Sequence, residues 1–431
     1  MIIYSKHITP RLHYIVHTLL GNAVSITDNE ATFIQYSEQK INYSENKITE
    51  NELWICPHKL LFEKEIKEQN INVFEWNNLP VFFKTNGNIP FDFFAASFYL
   101  LTRYEEYLSH QKDMYGRYAH ENSVAFKHHF LHLPLINLWL QEIGNQFSFS
   151  HVQNTVFTYQ PTYDVDIAYS YQHHSIVRNI GSVLKDIVKG NISFVKERIL
   201  VCLGKQKDPF DVFDYLHQLH HQYQLQPIYF FLLAAKRKGY DKNVLPFTKA
   251  MQTLIKEHAK KYFSGIGIHP SWQSGDDEKI LVQEIELLKN IAEQSILASR
   301  QHYIRMCFPD TYQLLIQYGI EHDYSMGYGS INGFRASYTL PFAWYNIQKE
   351  ETTALMIHPF CYMEANSFFE QKLTPQQAAK ELQHYYNIVQ QVKGKLITVF
   401  HNHFLTEQAA WIEWRKMYHQ FLEQNFSPIN T

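Results

Sequence analysis

A chain of 431 residues is long enough for two or three domains, each able to bury a core. Its hydrophobic fraction of 45% and charged fraction of 19% exclude a disordered chain, and a formal net charge of -3 excludes a basic field that would collect nucleic acid. No run of positive charge points to anionic lipid, and no apolar stretch reaches the roughly 18 residues of a membrane span.

The N-terminal segment MIIYSKHITPRLHYIVHTLLG is broken by His7, Arg11, His13 and His17. It lacks the continuous apolar stretch of a signal peptide, so a cytoplasmic protein is expected. Cys56, Cys202, Cys307 and Cys361 are far apart and form no C-x-x-C pair, which reads as four buried reduced thiols rather than a disulfide framework or structural zinc site. Residues 1–150 mix short β-like runs (ATFIQYS, LWICP, VFEW) with one helix at 91–108. They read as a separate α+β domain of unknown role. Within it, Arg103-Tyr104-Glu105-Glu106 is expected to form helix-surface or interdomain ion pairs.

From residue 151 to 431 short apolar runs alternate with amphipathic segments, the rhythm of parallel β/α units. Seven strands are predicted, at 155–163, 227–233, 265–268, 296–299, 320–322, 354–357 and 395–400. Between them Leu281, Ile285, Leu288 and Ala292 mark one helical face, and Thr374-Pro375-Gln376-Gln377 is a capping box opening a helix that should run to Gly394. Residues 167–208 read as helical decoration with a mobile loop. The expected fold class is α/β: a distorted seven-stranded β/α barrel beside the N-terminal α+β domain.

In such a barrel the strand C-termini form the reaction face. Asp164 and Asp166 end the first predicted strand, His269 the third, Arg300 and His302 follow the fourth, Asp323 ends the fifth and His401 the seventh. In extended chain Asp164 and Asp166 share a face with Val165 turned away. Their repulsion calls for a cation or a shared proton, although an exposed turn accounts for the same pattern. His269 alone reads equally as a histidine hydrogen-bonded over Pro270, and Arg300 as a structural ion pair. The joint placement is the signal.

The ordered elements T-Y-D-x-D, G-I-H-P-S, SRQHY, Gly-Ile-x-x-Asp and V-F-H-N resemble the polysaccharide deacetylase family, carbohydrate esterase family 4, over most of residues 151–405. The resemblance is to a divergent branch with an extra N-terminal domain. It implies a metal-dependent carbohydrate deacetylase, a hydrolase acting on a C–N amide bond of an N-acetylated sugar or glycan in cell-surface glycan metabolism. Carried over by position, Asp164 is the general base, Arg300 orients it, and His401 is the general acid supported by Asp323. The resemblance makes His269 a metal ligand and Asp166 a second. The family's next histidine, four residues on, is replaced by Gln273, a poor zinc ligand, so His302 is taken as the third. The cofactor is a divalent metal, zinc first, with cobalt or nickel as substitutes. Trp272, Tyr328 and Arg335 are candidate sugar contacts, with packing as their alternative. Competing readings are a non-catalytic glycan-binding protein on a degenerate barrel and a D-x-D sugar-nucleotide glycosyltransferase, which leaves His269, His302 and His401 unexplained.

Overall fold

The computed structural model of the protein describes residues 1–147, 155–174, 176–260, 262 and 264–428. The expected domain boundary near residue 150 lies outside the described residues.

The N-terminal part holds a small parallel sheet of β1 (Ile2–Tyr4), β2 (Ser25–Thr27), β3 (Lys40–Asn42) and β4 (Leu53–Trp54), in the order β2-β1-β3-β4. Helix Pro10–Leu20 links the first two, started by the Thr9 hydroxyl on the Leu12 N–H and by proline in its first turn. A hairpin of β5 (Phe74–Trp76) and β6 (Leu79–Val81) follows. The helix expected at 91–108 is shorter, Phe93–Leu101, and buried at every position. It breaks because Arg103 takes the left-handed conformation (φ 56°), after which Tyr104–Tyr107 form a tight turn. That turn lets Arg103, Glu105 and Glu106 all point inward, where a continued helix would spread them around its circumference.

The larger sheet contains β7 (Thr158–Val165), β8 (Ile228–Leu232), β9 (Gly265–His269), β10 (Ala298–Ser299), β11 (His322–Asp323), β12 (Phe342–Asn346), β13 (Glu351–Ile357), β14 (Tyr362–Met363) and β15 (Lys395–His401). Their order is β12-β13-β11-β10-β9-β8-β7-β15-β14, parallel throughout except for β12 against β13. All seven predicted runs fall in this sheet. Strands β12 and β14 were not foreseen, and among the described residues the ladder ends at these two. Helices Lys249–Lys260, Glu278–Ala292, Asp310–Gln317 and Pro375–Gln391 separate successive strands, as parallel connections require. Leu281, Ile285, Leu288 and Ala292 are all buried on one face. The Thr374–Gln377 capping box forms, and the helix stops at Gln391, before Gly394.

The apolar core is continuous between the two parts. Buried ion pairs cross the same boundary: Arg335 grips Glu106 at 2.5 and 2.8 Å, Arg103 binds Glu105 (2.8 Å) and Glu106 (2.7 Å), and Arg11 reaches Glu350 at 2.6 Å. Of the cysteines only Cys361 is buried; Cys202 and Cys307 are exposed, which corrects the expectation of four buried thiols. No helix among the described residues is long and apolar enough to cross a membrane.

Candidate metal centre

Parallel register sets the site. His401 lies opposite Asp164 across β15 and β7, Leu232 opposite His269 across β8 and β9, and Ser299, just before Arg300, opposite Ile268. The polar ends of four strands therefore meet at one edge of the sheet, on a cavity of about 610 Å³ lined by Asp164, Asp166, His269, His302 and His401.

Three imidazoles are oriented in the same way. His269 Nδ1 lies 2.6 Å from the Arg300 carbonyl, which can only accept, so this nitrogen carries the hydrogen and Nε2 presents a lone pair. His302 Nδ1 donates to Asp241 (2.9 Å), and His401 Nδ1 donates to Glu364 (2.8 Å), whose same oxygen also takes the His401 backbone N–H (2.5 Å). The three Nε2 atoms converge on Asp166, at 3.2 Å from His269 and 3.6 Å from both His302 and His401.

Asp166 Oδ1 is buried and has no hydrogen-bond partner, and the atom nearest it is the lone-pair nitrogen of His269. Two acceptors facing each other at that distance need a positive charge between them. The ligand atoms of Asp166, His269 and His302 all lie within 4.8 Å of one another. One carboxylate and two imidazoles whose far nitrogens are tied to acceptors make the donor set of a catalytic zinc site with open positions. The residues fit a divalent ion.

Asp164 stands beside this set. Arg300, wholly buried, donates to its Oδ1 at 2.8 Å, while Oδ2 faces His269 Nε2 at 3.8 Å. The guanidinium is fixed in turn by the Tyr324 carbonyl (3.0 Å) and the Phe230 ring below it (4.5 Å). Burial works to raise the Asp166 carboxyl, but His302, His269 and His401 outweigh it and hold Asp166 well below the usual carboxylate range. For His401, burial lowers the imidazole while Glu364, then Asp166 and Asp164, raise it to about 10. His302 reaches about 9 against its own burial through Asp166 and Asp241. With no cation competing, both imidazoles hold a second proton at neutral pH, and a cation displaces the one on His302.

Other expected residues fall elsewhere. Asp323 does not support His401: its oxygens accept from Ser299, Ser325 and Tyr312, a buried hub that organises the β10–β11 loops. The partner of His401 is Glu364, just after β14, and a two-residue strand has no alternation by which sequence could have flagged it. Gln273 is no ligand either. It donates to Asp241 at 2.8 Å, the carboxylate that orients His302. Trp272 packs under the Arg305 guanidinium (4.3 Å) with its indole N–H on the Tyr115 carbonyl, outside the cavity lining. Tyr328 and Arg335 belong to the buried Arg103–Glu106 network rather than to the cavity, because their charged and phenolic groups found interior partners. In their place Tyr115, Tyr240 and Tyr303 line the cavity as a mutually packed trio with ring centroids 5.0–5.1 Å apart.

Residues 1–151 match the model of a family of unknown function, DUF7033. No curated protein matches the chain. Among solved structures it is similar to a protein assigned to the polysaccharide deacetylases from Mycobacterium smegmatis, with 13% identity, a TM-score of 0.39, and 64% of this chain and 87% of the other covered. It is similar to Puue allantoinase at 11% identity and a TM-score of 0.40, with 63% and 86% covered. A carbohydrate esterase family 4 pseudoenzyme from Bacillus anthracis overlaps at 7% identity and a TM-score of 0.32, with 64% and 63% covered. These overlaps are loose, and chemistry here rests on the side chains.

Proposed function

We propose that the protein is a metal-dependent hydrolase that removes N-acetyl groups from an amino sugar or polysaccharide in cell-surface glycan metabolism. The observation that carries this reading is the convergence of the Asp166, His269 and His302 donor atoms within 4.8 Å, beside an Arg300-clamped Asp164 and facing a Glu364-clamped His401. A divalent ion held by those three residues, zinc or its substitutes cobalt and nickel, supplies Lewis-acid polarisation of an amide carbonyl and of water.

The side chains do the rest. Arg300 engages Asp164 Oδ1, so Oδ2 is the oxygen left to take a proton as water attacks the acetamide carbon. His401, charged over the neutral range, donates its Nε2 proton to the nitrogen of the departing amino sugar, while Glu364 keeps the ring turned and its charge matched. Tyr115, Tyr240 and Tyr303 offer apolar faces with polar rims, suited to the carbon face of a sugar ring. Residues 1–150 act as a unit that braces the α/β part through the Glu106–Arg335 and Arg11–Glu350 pairs.

Purified protein incubated with zinc, cobalt or nickel and N-acetylated oligosaccharides is the direct test, read as acetate released. Chelation should abolish turnover. Asp164→Asn and His269→Ala should each lose at least about a hundredfold. Unchanged turnover in either variant refutes that residue's role, and transfer from a sugar nucleotide without acetate release refutes the reading as a whole.

A further inference from the structure

The connection from β7 to β8 leaves the sheet at the cavity wall, where Ile167 is a lining residue, and forms a self-contained excursion. Buried Asp208 closes its neck. One oxygen accepts the N–H groups of Ser170 (2.8 Å) and Phe210 (3.0 Å), the other those of Tyr171 (2.8 Å) and Gln172 (2.9 Å). Beyond the neck lie helices Ile176–Val188 and Ile192–Cys202. They run antiparallel, since Asp186 near the end of the first pairs with Arg198 (3.1 Å) while Asn179 near its start meets Cys202 (3.7 Å). The second helix turns Val201, which is buried, and Glu197, held by Tyr171 and Gln408, toward the body.

The outward side is apolar. Ile180 (56% exposed), Leu184 (60%), Ile187 (48%) and Val188 (87%) follow steps of four, three and one, a single helical face. On the second helix Ile192 (61%), Ile199 (47%) and Leu203 (64%) repeat at seven and four. At 3.6 residues per turn, each stripe lies about 120–130° round from the face carrying the interhelical Asp186–Arg198 contact. In an antiparallel pair that offset sends both stripes to the same side. Seven large apolar side chains in water on one side exceed the scattered exposure normal for a protein surface. Exposed Lys185, Lys189, Lys196 and Lys205 accompany them, and none is in an ion pair among the described residues.

We propose that this hairpin docks the protein onto an anionic lipid surface, with its apolar stripes at the headgroup–acyl boundary and its lysines among the anionic headgroups. The cationic complement selects this occupant over a second copy of the chain, because a two-fold pairing of the patch would bring the same lysines face to face. The proposal is independent of the reaction assigned above. Docking would also hold the cavity near the lipid surface, because Ile167 at the root of the excursion is part of its wall.

Sedimentation of the full chain with phosphatidylcholine vesicles, with and without phosphatidylglycerol, tests it. Binding should require the anionic lipid and weaken as salt rises. The pair Leu184→Asp and Ile187→Asp should lower vesicle affinity at least tenfold, and each of Lys189→Gln and Lys196→Gln by about fivefold. The lysine variants change only exposed side chains, so they decide the matter should the aspartates unfold the hairpin. Absence of binding to anionic vesicles, or equal binding by the lysine and aspartate variants, overturns the proposal. A wild-type dimer in light scattering that Leu184→Asp dissociates overturns it too, since the patch would then be covered by a second copy.

Discussion

Replacing Glu364 by glutamine separates the charge of that side chain from its shape. Glu364 is wholly buried, and one of its oxygens takes both the backbone N–H and Nδ1–H of His401. Glutamine can keep one of these bonds but not the negative charge. An opposite charge at this range moves a pKa by about 1–3 pH units, each worth about 1.4 kcal/mol. His401 is therefore expected to fall from about 10 to about 7–9 in the variant. A cation nearby lowers both proteins alike and leaves the difference. Because the folded value of His401 lies above its ordinary 6.5, its contribution to stability is complete below about pH 6.5 and is lost as pH rises through about 10. In Glu364→Gln that loss should arrive at lower pH. The alkaline limb of acetate release, where protonated His401 disappears, should move the same way. Turnover followed from pH 6 to 11 with urea unfolding at matched pH reads both. A limb that stays in place would refute the claim that Glu364 holds the proton on His401.

Asp166→Asn should abolish the rise in thermal midpoint that zinc produces, because the one carboxylate among the ligands is gone; an undiminished rise would place the metal elsewhere. Asp241→Asn should weaken zinc by about 10–100-fold in competition titrations, since His302 Nδ1 loses the carboxylate that orients it. Glu106→Gln should cost about 3–5 kcal/mol in chemical unfolding by leaving two buried guanidinium groups short of a carboxylate, with zinc affinity unchanged. Tyr240→Ala should raise KM with little change in kcat if the tyrosine trio holds the sugar ring, and an unaltered KM would remove that role.

The main-sheet strands, and the polar residues that end them, could be read in the chain itself. Parallel strands buried on both faces appear as short apolar runs, so a carboxylate or imidazole at the end of such a run stands out against its neighbours. Asp164, Asp166, His269, Arg300, His302 and His401 were found that way, and the fold brings all six together. What orients them could not be read so. Glu364 meets His401 across 37 positions and Asp241 meets His302 across 61, and no local period links residues so far apart. Trp272, Tyr328 and Arg335 look like ligand contacts in a string of letters, yet whether an aromatic or charged group faces a cavity or an interior partner depends on packing between segments distant in sequence. The lysines of the hairpin show the same division. They are spaced from 185 to 205 with no charge run, and only the antiparallel turn of two helices gathers them beside one apolar face. Periodicity within one element is a property of sequence, whereas adjacency between elements is decided by the folded chain.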